Sequence, residues 1–80
     1  MSNEIKLIHQ VTIDNQAYTT LSMRRPKVRD MLASDKQGGS DGEKEIRIFT
    51  NLCEVPPSVI EEMDLVDYRK LQEVHQVFLS

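Results

Sequence analysis

The first third of the chain alternates between apolar and polar positions, a period of two that is typical of β-strands with one buried face. The apolar positions of the first stretch are Ile5, Leu7, Val11 and Ile13. A second alternating stretch ends at Met23. Between the two lie Asp14 and Asn15, which tolerate the left-handed backbone of tight turns. The pattern predicts a β-hairpin over residues 5–23.

The length of the hairpin loop decides which residues of the two strands face each other. A two-residue loop, Asp14-Asn15, would pair Ile13 with Gln16 and place the two apolar sets on opposite faces. A three-residue loop would pair Ile13 with Ala17 and gather the apolar residues on one face. Because a slip of one residue turns every side chain to the other face, the pattern favours the three-residue loop.

After Met23 the apolar residues recur at helical spacing. Pro26 suits the first position of a helix, and this helix would carry a short apolar stripe of Val28, Met31 and Leu32. Gly38-Gly39 would end it, because glycine readily adopts the left-handed conformation at a helix terminus.

Three further helices are predicted, two of them from capping signals. Ser40 and Glu43 have the spacing of a capping box, which predicts a second helix running to about Cys53. A short helix follows over residues 57–63. Asp64 is a suitable N-cap for the last helix, which places Asp67 at its third position. The apolar positions of this last helix are Tyr68, Leu71, Val74, His75 and Phe78.

The predicted fold class is therefore α+β, with an N-terminal β-hairpin followed by three to four short α-helices. With 80 residues, we expect a single domain over residues 1–80, consisting of the hairpin and a helical part over residues 26–79. A chain this short buries a small core, so association with other copies would help to stabilise it.

Composition and charge narrow the class of protein. The apolar fraction of 39% and the charged fraction of 29% are ordinary for a folded protein. The net charge is −3, but it is uneven: residues 24–36 carry +3 and residues 41–67 carry −6. Secretion and membrane insertion are not expected, because the amino terminus shows no leader pattern and the apolar runs are far shorter than the ~20 residues of a membrane span.

The residue types that carry chemistry are few. The single cysteine, Cys53, cannot form an intrachain disulfide, and it lies on an apolar helix face where cysteine usually acts as a small hydrophobic residue. A nucleophilic pair of Cys53 with His9 or His75 is the less favoured interpretation. One cysteine and two distant histidines do not make a metal motif, and no phosphate-binding glycine motif is present. We expect no catalytic residue, cofactor or metal.

A basic cluster, formed by Arg24, Arg25, Lys27 and Arg29, allows three interpretations. It can be a solvated corner between strand and helix, a contact for an acidic protein, or a contact for phosphates. The acidic balance of the whole chain argues against nucleic acid as the partner.

Three stretches, taken in order, resemble a known family. They are residues 24–30, residues 38–41 and residues 56–65, the last followed by Asp67-Tyr68. They are similar to the small tail assembly chaperones of Mu-like and related contractile-tailed phages, the tail protein E family, and the resemblance covers about residues 11–79. The family often has an Asp-Gly hairpin turn where this chain has Asp14-Asn15.

The resemblance implies a non-enzymatic helper in phage tail assembly. Such a protein binds the tape measure protein and keeps it soluble in the bacterial cytoplasm, and it is not expected in the mature virion. Its other expected partners are further copies of itself and a longer, frameshifted form; nucleic acid and membrane are not expected. The competing functions are a small DNA-binding regulator and a structural tail component that stays in the virion.

A chaperone of this kind should present an apolar groove to helices of its partner. The candidate partner-binding residues are large, apolar and adaptable, or belong to the basic cluster, and each could equally serve the core or the corner. They are Leu21, Met23, Arg24, Arg25, Met31, Phe49 and Phe78.

Overall fold

A computed structural model describes residues 3–80 and confirms the predicted α+β class. Residues 1 and 2 of the expected single domain lie outside this part of the chain. Two antiparallel strands form the N-terminal hairpin and are followed by four helices. The elements are β1 (Asn3–Ile13), β2 (Gln16–Met23), α1 (Val28–Gln37), α2 (Asp41–Cys53), α3 (Pro57–Glu61) and α4 (Leu65–Leu79).

The register of the hairpin shows that the three-residue loop was the wrong choice. Ile13 pairs with Gln16, so the loop has the two residues Asp14 and Asn15. Both have positive φ angles, 49° and 67°. This is the backbone of a type I′ turn, whose twist matches that of the flanking strands. The preference for the longer loop failed because it assumed an unbroken alternation along both strands.

A bulge in β1 breaks that alternation. Lys6 pairs with Thr20 and Val11 with Tyr18, so four residues, 7–10, lie opposite the single residue Thr19. A bulge bends its strand and increases the local twist. The apolar residues on both sides of this bulge can therefore reach one core, which a regular ladder with a two-residue loop would not allow.

The bulge is held in place by a buried carboxylate of α4. Asp67 is fully buried, and it accepts hydrogen bonds of 2.9 Å from the backbone N–H groups of Ile8 and His9. Lys70 lies 3.5 Å from the same carboxylate and donates to the carbonyl of Lys6 at 3.2 Å. Polar groups that leave the strand ladder must find other partners when buried. Here α4 supplies them, and β1 is fixed to the helical part.

The core lies between the hairpin and α2, α3 and α4. Phe49 of α2 is its centre, being fully buried with its ring in edge contact with Tyr68 and His75 at centroid distances of 5.5 and 5.4 Å. The other buried apolar residues are Ile5, Val11, Leu21, Met23, Leu52, Cys53, Val59, Ile60, Met63 and Leu71.

The predicted helix termini are largely confirmed. The capping box of Ser40 and Glu43 is present, and Asp64 caps α4 by accepting from the N–H of Val66 at 2.9 Å. One prediction was wrong: Pro26 is not the first helical residue, because Lys27 is the N-cap and α1 begins at Val28. The third helix is also shorter than predicted, ending at Glu61.

Candidate functional site

Helix α1 has its polar face inward and its apolar face outward. Its buried residues are Asp30 and Ser34, with exposures of 4% and 2%. The apolar stripe predicted from the sequence is on the surface instead: Val28, Met31 and Leu32 are 70%, 53% and 59% exposed. A helix on a protein surface usually turns its apolar stripe to the core. Because α1 does the opposite, its stripe is available to another molecule.

An ion pair attaches the N-terminal end of α1 to the chain that leads into it. Arg24 donates two hydrogen bonds to Asp30, from Nη1 at 2.9 Å and from Nη2 at 2.8 Å. The N–H of Lys27 donates to the same carboxylate at 2.7 Å. The hydrogen bond from Arg24 is the main cause that lowers the pKa of Asp30, and in return Asp30 raises the pKa of Arg24. This fork geometry fixes both distance and orientation.

A second set of polar contacts attaches the rest of α1 to α2. The hydroxyl of Ser34 donates to the carbonyl of Lys44 at 3.0 Å, and Arg47 donates to the carbonyl of Ser34 at 3.1 Å. Arg47 also contacts the carbonyl of Gly38, at the end of α1. Side-chain hydrogen bonds thus attach α1 to the rest of the protein, whereas the other helices are attached by apolar packing.

A groove lies between α1 and the C-terminal end of α4, with a volume of about 350 Å³. Its lining is mainly apolar: Pro26, Lys27, Val28, Asp30, Met31, Ile48, His75 and Leu79. Lys27 contributes a positive charge to this lining, and the neighbouring Arg25 and Arg29 are exposed. We call this surface the α1–α4 groove.

The C-terminal end of α4 is held by Arg25, one residue of the basic cluster. The guanidinium of Arg25 lies over the ring of Phe78, 5.3 Å from its centroid, in a cation–π contact. Arg25 also donates to the carbonyl of Phe78 at 3.5 Å. A cation at a helix C-terminus is favourable because the last carbonyls carry partial negative charge. These contacts position Leu79 at the groove.

The seven candidate partner-binding residues fall into three groups. Leu21, Met23 and Phe49 are buried in the core. Arg24 and Arg25 form the contacts with Asp30 and Phe78 just described, and Phe78 itself packs partly against the core. Met31 lines the groove. The structure thus brings only Met31 to the exposed apolar surface, and a partner-binding role for any of the seven stays a prediction.

Sequence reasoning missed several lining residues of the groove, chiefly Val28, Ile48 and Leu79. Val28 was recognised as part of a stripe, but its exposure was not foreseen. The signal was the position of Asp30 between Val28 and Met31, six residues after Arg24. A buried carboxylate requires a partner, and a nearby arginine can supply it.

The groups considered for catalysis lie in three separate places: His75 lines this groove, His9 lies near Asp64, and Cys53 is in the core. Cys53 is buried, and burial raises the pKa of its thiol to about 11. It is therefore almost fully protonated at neutral pH, and the thiolate is the reactive form. His75 packs against Phe49, and His9 lies on the surface 4.0 Å from Asp64.

Among residues 3–80, no three His, Cys, Asp or Glu side chains come close enough together to hold a metal ion. In the same range, none of the helices has the length and apolar character needed to cross a membrane.

Comparison with known proteins identifies the family. Residues 4–80 match the family of phage tail assembly chaperone proteins, E, or 41 or 14, and the chain belongs to this family. No curated protein and no solved structure gives a significant match. The resemblance seen in the sequence is thus confirmed, and the protein is a tail assembly chaperone whose partners are tail proteins.

Proposed function

We propose that this chaperone binds the tape measure protein through the α1–α4 groove and keeps it soluble until the tail tube forms. The observation that supports this is the inverted helix α1, which leaves Val28, Met31 and Leu32 on the surface. Exposed apolar surface rimmed by polar residues is typical of protein interaction sites.

The expected occupant is an amphipathic helix of the tape measure protein. The groove lies between two helices and has a mainly apolar lining, which suits the helix-in-groove mode of binding. Lys27 in its lining, with Arg25 and Arg29 nearby, favours a helix that carries acidic residues beside its apolar face. Each contact is small, so binding of one site should be weak and reversible. Many copies along one long partner would act through avidity.

The remaining expectations are part of the same proposal. The protein acts without enzymatic activity in the host cytoplasm, leaves as the tube subunits polymerise, and works with further copies and a longer frameshifted form. The two competing functions lack a comparable supporting feature: a DNA-binding regulator would need a dominant basic face, whereas the net charge is −3. Retention in the virion would be detected by mass spectrometry of purified particles.

The test compares two pairs of exposed apolar residues. In the first variant, Val28→Ser and Met31→Ser remove apolar groups of the groove that are 70% and 53% exposed. In the control variant, Leu65→Ser and Val66→Ser remove groups that are 71% and 46% exposed at the opposite end of α4. Each variant is co-expressed with the tape measure protein of the same phage, and the soluble, co-purifying fraction is measured.

The groove variant should lose co-purification and leave the tape measure protein insoluble, while the control variant should behave as wild type. Both should unfold at nearly the same denaturant concentration as wild type, because none of the replaced side chains belongs to the core. Equal binding by the two variants would refute the groove as the site. Failure of the wild-type chain to co-purify would refute the tape measure protein as the partner.

A further inference from the structure

The two edges of the hairpin are unequal. The outer edge of β1 is covered at its bulge, where Asp67 binds the N–H groups of Ile8 and His9 and Lys70 binds the carbonyl of Lys6. On the β2 side of the hairpin, the N–H of Arg24 donates to the carbonyl of Leu52 in α2 at 3.0 Å. Arg24 follows the last residue of β2, so this hydrogen bond lies beyond the strand. Among residues 3–80, β1 is thus partly covered by α4, whereas β2 pairs with β1 alone and its other edge is open.

The sequence of β2 lacks the features that protect open edges. Proteins blunt a free edge with charges, proline or a bulge, because its unpaired backbone groups are a template for another strand. The eight residues of β2, QAYTTLSM, contain no charged residue and no proline, and the bulge of the hairpin lies in β1. The side chains of Gln16, Ala17, Thr19 and Thr20 are exposed.

The turn geometry identifies the backbone groups that face outward. In a hairpin closed by a two-residue loop, the residues that flank the loop, here Ile13 and Gln16, exchange the inward hydrogen bonds. Since N–H and C=O groups alternate in direction along a strand, Ala17 and Thr19 direct theirs away from β1. The interruption on β1 does not change this alternation, because β2 itself is regular.

We infer that the open edge of β2 pairs antiparallel with β2 of a second copy of this chain, forming a continuous four-stranded sheet across a two-fold axis. A two-stranded sheet is marginal in water, and two more strands would stabilise it. The two copies use the same segment, as a symmetric dimer requires, and uncharged strands bring no repulsion to the contact. The dimer would carry two α1–α4 grooves, but it does not depend on what those grooves bind.

The test uses two substitutions at one position. Thr19→Pro removes an outward N–H without removing a hydrogen bond to β1. Thr19→Val keeps that N–H and a β-branched side chain, so it is the matched control. Sedimentation of the full chain should give twice the monomer mass of 9.2 kDa for wild type and Thr19→Val, and the monomer mass for Thr19→Pro. Circular dichroism checks that the proline variant is folded.

Hydrogen exchange of the wild-type chain gives a second readout that needs no variant. The N–H groups of Ala17 and Thr19 should become slower to exchange as the protein concentration rises. A wild-type monomer at up to about 1 mM, where interfaces of micromolar affinity are saturated, would overturn the dimer. Dimerisation unaffected by Thr19→Pro, or unchanged exchange at Ala17 and Thr19, would overturn the proposed edge. If Thr19→Pro weakens only co-purification of the tape measure protein and leaves the mass unchanged, the edge binds a strand of that partner and the dimer is likewise refuted.

Discussion

Helices α1 and α2 lie side by side and are built in opposite ways. Helix α2 buries Phe49, Leu52 and Cys53, and its charged residues are exposed or half-buried. Helix α1 buries Asp30 and Ser34 and turns its apolar residues towards solvent. Helix α2 is held by apolar packing and contributes to the core, whereas α1 is held by ion pairs and hydrogen bonds.

The difference suggests how a small protein can be stable and still offer an apolar surface. Apolar residues placed in a core are lost to binding, and 80 residues supply few of them. Attaching α1 by polar groups leaves its stripe for the proposed partner. The cost is a buried charge, which is tolerated only when its partner is present. Four predictions test this contrast, beginning with the one of largest expected effect.

Deleting the same kind of side chain from the two helices should have very different effects on stability. Phe49→Ala leaves a cavity in the core and should lower the free energy of unfolding by about 3–5 kcal/mol. Met31→Ala, in the exposed stripe of α1, should change it by less than about 0.5 kcal/mol. Urea unfolding followed by circular dichroism measures both. Similar losses for the two variants would show that α1 packs through its apolar face after all.

Removing the anchor of α1 should have the next largest effect. Asp30→Ala leaves Arg24 without its partner in a half-buried position and should lower the free energy of unfolding by about 2 kcal/mol. The control is Asp35→Ala on the same helix, where an exposed carboxylate lies 3.8 Å from Lys44 and should contribute less than about 0.5 kcal/mol. Hydrogen exchange should locate the loss in α1. Equal stability of the two variants would contradict the anchoring role of Asp30.

The features that the sequence predicted correctly depend on residues close together along the chain. The features that it missed depend on residues far apart along the chain. The caps of α2 and α4 were correct because each depends on residues a few positions apart, such as Ser40 and Glu43. The strand register was wrong because the bulge depends on Asp67, 58 residues from His9 along the chain. Nothing in the alternation of β1 indicates that a later helix supplies a carboxylate.

The candidate site was predictable only in part for a similar reason. The apolar stripe of α1 follows from spacing, but its direction depends on the pairing of Arg24 with Asp30 and on Arg47. Large apolar residues such as Phe49 were chosen as candidates by type, and type does not separate a binding surface from a core. Exposure decides between them, and exposure is a property of the folded chain.

Acid should weaken the attachment of α1 more gently than substitution does, because protonation leaves the side chain in place. The hydrogen bond from Arg24 is the main cause that lowers the pKa of Asp30. Burial raises the pKa of Asp67, but the N–H groups of His9 and Ile8 and the ammonium of Lys70 outweigh burial, so this pKa is also lowered. A carboxylate whose pKa is lower in the folded state stabilises that state above its unfolded pKa. This stabilisation is lost as the pH falls through the folded value. Stability should therefore decline as the pH falls below the ordinary value of 3.8.

The variant Asp30→Asn separates this contribution from general acid effects. Its free energy of unfolding should lie below that of wild type at neutral pH, and the two curves should converge as the wild-type carboxylate becomes protonated. Asp35→Asn, an exposed change on the same helix, should follow the wild-type curve throughout. A constant gap between Asp30→Asn and wild type down to about pH 2 would mean that the charge of Asp30 contributes nothing to stability.

The ends of the two helices give the smallest effect and the only expected gain. Helix α1 is followed by Gly38 with φ at 70°, whereas α2 is followed by Glu54 with φ at 55°. A side chain at such an angle is strained and glycine is not. Glu54→Gly should therefore raise the free energy of unfolding by about 0.5–1 kcal/mol, and Gly38→Ala should lower it by about 1 kcal/mol. Urea unfolding compares the two variants with wild type. Since Glu54 is exposed, a loss of stability on its replacement would mean that its side chain makes a favourable contact in the folded state that outweighs the strain of its backbone.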